Sequence, residues 1–125
     1  MLIWSVDIIL RDFDNQGAEA GMNYNDLKIA DHWEVNAGDE KWDSVRDNLE
    51  RSRSVPDHLH KDLYLTYNSA SGGGAMPREI ARHMNTRLHN YVRDTKERNP
   101  RGRLGIIAMD YPGPQLVQDI INFNY

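Results

Sequence analysis

The sequence predicts an α/β fold built on a parallel sheet, and it predicts only part of one. Strand-like and helix-like segments alternate along the chain, which is the pattern of parallel strands joined by helical crossovers. The segment Leu104–Met109 is apolar at almost every position, as expected of a parallel strand buried on both faces. Three or four such strands are too few to close a barrel, and few to bury a doubly wound sheet, so the chain of 125 residues reads as a piece of something larger.

Each element has a local reason. Trp4, Val6, Ile8 and Leu10 alternate with Ser5, Asp7, Ile9 and Arg11, a period of two that marks a strand. Asp14 to Asp26 is rich in Gly, Asn and Asp and predicts a long loop, followed by a short extended segment from Ile29 to Val35. Lys41 to Ser52 sets Trp42, Val45 and Leu49 on one helical face. Leu63 to Tyr67 is a short β-rich strand that runs into the glycine-rich stretch Asn68–Gly74. Pro77 then occupies a first helical position, and Ile80, Met84, Leu88, Tyr91 and Val92 form one stripe up to the stop at Asn99-Pro100. After Leu104–Met109 comes the turn Asp110-Tyr111-Pro112-Gly113. A last helix from Pro114 is expected to bury Leu116, Val117, Ile120 and Ile121.

Composition narrows the function classes. A 39% hydrophobic content with three Trp and six Tyr supports a globular core, and a net charge of −4 argues against a general nucleic-acid binder. Charge is uneven: residues 78–103 carry eight basic and three acidic side chains, a stretch read here as the solvated outer face of a helix. The chain has no cysteine, which removes disulfide and thiolate chemistry. Met1–Asp7 lacks the basic start and apolar core of a signal peptide, and no apolar run approaches the ~20 residues of a membrane span. The compartment stays open.

Strand C-terminal ends carry the sites of parallel α/β folds, and three stand out. Ser69-Ala70-Ser71-Gly72-Gly73-Gly74 suits either a glycine turn or backbone contacts to an anion at the following helix. Asp110 follows the most apolar strand, where a carboxylate orients a histidine, binds a hydroxyl or organises the turn after it. Asp31 and Trp33, two residues apart in an extended segment, share a face; a carboxylate and a ring of this kind hold polyols, or form a half-buried edge pair. The five histidines lack the i, i+4 spacing of a helical zinc site and read as surface residues.

In order and local sequence these pieces resemble the bacterial-type phosphatidylinositol-specific phospholipase C family, the X domain. Ala30-Asp31-His32-Trp33-Glu34-Val35 is similar to the family's Asp-x-aromatic-x-Val strand, and Leu63–Gly73 to its strand followed by Ser-x-Ser-Gly-Gly. Asn90-Tyr91-Val92, Asn99-Pro100 and Arg103–Tyr111 are similar to its final helix, strand and Asp-Tyr ending, so the likeness runs over about residues 29–124. It implies that residues 1–125 are the C-terminal part of a TIM-like β/α barrel, and it implies a phosphoric diester hydrolase of lipid metabolism that cleaves phosphatidylinositol to diacylglycerol and a cyclic inositol phosphate. It implies no metal and no cofactor, transient contact with a membrane surface, and commonly a secreted full-length protein.

By the same resemblance Asp110 is the carboxylate that orients and charges the base histidine. Asp31 accepts hydrogen bonds from inositol hydroxyls, and Trp33 takes the place of a ring-stacking Tyr. Arg11 is the candidate for the family's phosphate-side arginine, although it lies one position early relative to Phe13, which in a strand changes the face. Both catalytic histidines belong to the family's N-terminal half, which has no counterpart in this sequence, so the isolated chain is expected to be inactive. Open sheet edges are expected to drive self-association. The alternative is a non-catalytic module that binds phosphoinositide or another anion.

Overall fold

The computed structural model describes residues 9–10, 22–32, 38–59, 62–72 and 74–123. Arg11, Trp33, and most of the strand and loop expected before Met22 lie outside them. The elements in chain order are β1 (Ile9–Leu10), β2 (Met22–Asn23), β3 (Lys28–Ala30), α1 (Asp39–Ser54), β4 (Tyr64–Tyr67), α2 (Pro77–Arg98), β5 (Ile106–Ala108) and α3 (Pro114–Phe123). β1 and β2 pair in parallel, as do β3, β4 and β5 in that spatial order. The expected alternation is therefore observed, with the extra short strand β2 inside the predicted loop.

Two registers fix the larger sheet: Ala30 lies opposite Thr66, and Thr66 opposite Ile107. A polar side chain of α1 ties that helix to the sheet. Asn48 Nδ2 donates to Thr66 Oγ1 at 2.9 Å, to Leu65 O at 3.2 Å and to Lys28 O at 3.3 Å, so one amide spans β3 and β4. Thr66 therefore faces the helices. Alternation along each strand puts Ala30, Thr66, Asn68, Ile107 and Met109 on that side. Asp31, Tyr67, Ser69, Ala108 and Asp110 fall on the other.

The helix side carries the core. Ile80, Met84, Leu88 and Val92 of α2 are fully buried against Val45 and Leu49 of α1 and Leu116 and Phe123 of α3, with Ile107 and Met109 packed beneath. α2 begins as the sequence predicts, with Pro77 at its first position, where a missing N–H costs nothing. Between α1 and α2 the rings of Trp42 and Tyr91 meet edge to face, 6.1 Å apart. Burial and the Glu50 carboxylate, which accepts from its hydroxyl at 2.6 Å, push Tyr91 up to about 12.

Three expectations need correction. β5 is not covered on both sides: Ile106 is 40% exposed, because β5 is the edge of its sheet among the described residues. α3 buries Leu116 and Phe123, whereas Val117 and Ile121 face outward; the helix is set by its contact with α2, not by its own apolar stripe. His89 is no free surface residue, since its Nε2 lies 2.7 Å from Asp119 Oδ2 on the seam between α2 and α3.

Gly105 sits where β5 begins, with φ +76, a left-handed conformation that suits glycine. A Cβ there would lie 2.6 Å from Tyr64 O. Strain and collision act together, so Gly105→Ala should destabilise the chain by about 2–4 kcal/mol in urea unfolding. A change under about 0.5 kcal/mol would show that the β4–β5 approach is looser than described.

Candidate functional site

The parallel register brings the ends of three strands to one place. Asp31 is the first residue after β3, Ser69 and Ser71 follow β4, and Asp110 follows β5. Together with Tyr67, Ala70 and Pro77 they line a cavity of about 370 Å³. Two of the strand-end carboxylates singled out in the sequence, 79 residues apart in the chain, thus share one opening on the face turned away from the helices. Both are exposed.

Asp110 belongs to a turn as well as to the cavity. Asn68 Nδ2 donates to Asn85 Oδ1 at 2.8 Å, and Asn85 Nδ2 donates to the carbonyls of Asp110 at 2.9 Å and Tyr111 at 3.1 Å. This chain of amides ties the end of β4 to the end of β5 through α2. It holds Tyr111 at φ +46, which is uncommon for a residue with a side chain. Asn85 was not singled out in the sequence. Its signal is a polar residue beside Met84, one turn after Ala81 and one turn before Leu88.

The glycine-rich stretch resolves toward the turn. Ala75 N donates to Gly72 O at 3.2 Å, closing a tight turn with Gly72 at φ +140 and Gly74 at φ +78. Its contribution to the cavity comes from Ser69 and Ser71, whose hydroxyls donate and accept. At the same end of the sheet two large apolar side chains stand in water: Met76, 67% exposed, and Tyr111, 64% exposed.

A larger hollow of about 1020 Å³ opens at the opposite end of the strands, among Arg53, Lys96, Arg101, Leu104 and Phe123. Arg53 is already engaged there by Glu50, Tyr91 and the carbonyl of Asn99. No carboxylate is among the described residues that line this hollow. Among the described residues no cluster of three His, Cys, Asp or Glu could hold a metal ion. No helix among them is long and apolar enough to cross a membrane.

No family model and no curated protein matches the chain. Solved structures do. The fold is similar to that of phosphatidylinositol-specific phospholipase C from Listeria monocytogenes, with a TM-score of 0.74 and 23% identity over 84% of this chain and 36% of that one. A mutant of phosphatidylinositol-specific phospholipase C from Staphylococcus aureus matches with a TM-score of 0.66 and 21% identity, over 83% and 36%. A further structure of the S. aureus protein, from work on its membrane binding, matches with a TM-score of 0.61 and 22% identity, again over 83% and 36%. The chain thus spans about a third of the length of the solved structures it matches, and it has the fold of that part of a bacterial phospholipase C barrel.

The amide chain makes a prediction that separates it from ordinary helix packing. Asn85→Ala leaves the buried Asn68 amide without its acceptor and should cost about 1–3 kcal/mol of stability. It should also shift the backbone amide resonances of both Asn68 and Tyr111. Shifts confined to α2 would mean that Asn85 does not join the two strand ends.

Proposed function

We propose that residues 1–125 are the C-terminal part of a phosphatidylinositol-specific phospholipase C X domain and supply the headgroup side of its site. The observation that carries this is the convergence of Asp31 and Asp110, with Ser69 and Ser71, on one cavity. Carboxylates accept hydrogen bonds and hydroxyls donate them, which matches the ring of vicinal hydroxyls on an inositol. Two negative charges in one opening disfavour a bare phosphate, so the polyol and not the phosphate is the group recognised at Asp31.

The roles follow from this placement and from the family likeness. Asp31 accepts from inositol hydroxyls. Asp110, held from behind by Asn85, orients an imidazole and stabilises its charged form as it takes the proton of the 2-hydroxyl. That oxygen then attacks phosphorus while the bond to the diacylglycerol oxygen breaks, and a second imidazole protonates the departing alkoxide. The products are diacylglycerol and a cyclic inositol phosphate. Trp33 and Arg11, outside the described residues, keep by the family likeness alone the candidate roles of ring stacking and phosphate contact.

No histidine is among the described residues lining the cavity. Both imidazoles are therefore assigned to the part of the barrel that the matched structures have beyond this third, and residues 1–125 alone bind the headgroup without cleaving it. The exposed Met76 and Tyr111, set on the loops after β4 and β5, would meet the lipid surface from which the headgroup projects.

Titration of the chain with myo-inositol should perturb the carboxyl resonances of Asp31 and Asp110, and vesicles of phosphatidylinositol should show no turnover. Perturbation of neither carboxylate, or measurable cleavage by residues 1–125 alone, contradicts the assignment. The double substitution Met76→Ser with Tyr111→Ser should weaken binding to phosphatidylinositol vesicles several-fold while leaving binding of soluble myo-inositol unchanged. Equal vesicle binding by the variant would remove these two side chains from the lipid contact.

A further inference from the structure

The basic stretch of residues 78–103 runs past the end of α2. Arg101 and Arg103 lie on the loop between α2 and β5, both exposed, where they line the hollow of about 1020 Å³ at the N-terminal ends of the strands. Arg53 and Lys96 line the same hollow, and no carboxylate is among its described lining residues. Like charges gathered around one opening repel one another, so packing alone does not favour this arrangement.

The fold accounts for two of these cations. α1, α2 and α3 end at Ser54, Arg98 and Phe123, beside the hollow, and helix C-terminal ends carry exposed carbonyls and partial negative charge. Lys96 Nζ donates to Asn122 O at 2.5 Å, and Arg53 Nη2 donates to Asn99 O at 2.8 Å. Each cation also stands 6.0 Å from the centre of the Phe123 ring. The Arg53 side chain is only 9% exposed and is paired with Glu50. It forms a wall of the hollow, whereas Arg101 and Arg103 are placed to reach a ligand.

The loop that carries those two arginines has a fixed shape. Ser52 Oγ, buried in α1, donates to Arg103 O at 2.7 Å, and Arg53 Nη2 holds Asn99 O at the loop's other end. Between them Gly102 stands at φ +94, and a Cβ there would lie 2.7 Å from Arg53 O. The loop therefore lies directly on the end of α1, and glycine is the residue that fits. Fixing the backbone on both sides of Gly102 removes part of the ordering cost of closing two guanidiniums on one anion.

We propose that this hollow is a second anion site, in which Arg101 and Arg103, backed by Lys96, hold the phosphate group of a soluble phosphate ester. Guanidinium forks match the oxygens of a phosphate, which favours that group over a halide. The hollow is far larger than a phosphate, and Leu63, Leu104 and Ile106 line it, so the organic part of the ester has an apolar surface to rest on. Met76 and Tyr111, assigned above to the lipid surface, stand at the other end of the strands. A ligand in the hollow thus arrives from solution. The anion assignment is independent of the headgroup reading; only the soluble source rests on it.

The test uses the chain of residues 1–125 with inorganic phosphate as probe. Phosphate should shift the backbone amides of Gly102 and Leu104 saturably, raise the unfolding midpoint, and bind less tightly as sodium chloride is added. Arg101→Gln combined with Arg103→Gln should weaken binding at least tenfold; both side chains are exposed, so the variant is expected to fold. Arg82→Gln, an exposed site on α2 roughly 20 Å from Lys96 along the helix, should leave binding unchanged. No saturable shift at Gly102 and Leu104 overturns the proposal, and so does equal weakening by Arg82→Gln. Vesicles of phosphatidylglycerol form the second arm. Vesicle binding that is indifferent to the double substitution supports a soluble ligand, and vesicle binding lost with it overturns that source in favour of a lipid phosphate. Neither arm uses myo-inositol, so failure of the headgroup reading leaves the phosphate result standing.

Discussion

The candidate site depends on one short run of amides, from Asn68 through Asn85 to the carbonyls of Asp110 and Tyr111. Strand ends in a parallel sheet are where backbone pairing stops, so the residues just beyond need another hold. Here α2 provides it. A single side chain accepts from one strand end and donates to the next, and the carboxylate of Asp110 is set in place by its own backbone. Without this run Tyr111 would have little reason to remain at φ +46, and the wall of the cavity formed by β5 would be free to turn away.

The two faces of the sheet divide the work. The helix side is closed by apolar side chains from all three helices and stapled by Asn48. The other side carries Asp31, Tyr67, Ser69 and Asp110 at its upper end and the half-exposed Ile106 below. An apolar edge beneath a polar rim is what a barrel interior looks like in cross-section, with packing below and chemistry above. The comparison with the Listeria and Staphylococcus structures agrees with this, since the chain covers most of itself and about a third of them.

How much of this the sequence disclosed can be judged residue by residue. The helix α2 was legible because Pro77 marks its start, a single apolar stripe runs its length, and Asn99-Pro100 ends it. Asp31 and Asp110 were legible as candidates because strand order and the strand-end rule need no coordinates. That they line one cavity is a consequence of register, which local pattern does not contain. Asn48 and Asn85 were missed for the same reason: their meaning lies in contacts across 17 to 26 positions, and an Asn on a helix otherwise reads as solvent-facing. The outward side chains of α3 and the exposure of Ile106 were misjudged because apolarity shows what can be buried, not which neighbour is present to bury it.

A double-mutant cycle on Asp31 and Asp110, read through myo-inositol affinity, tests the central claim most directly. If both carboxylates face one headgroup, Asp31→Asn and Asp110→Asn should be non-additive, with a coupling of about 0.5 kcal/mol or more. Additive losses, or a loss from neither substitution, would mean that the strand ends converge without forming a shared site.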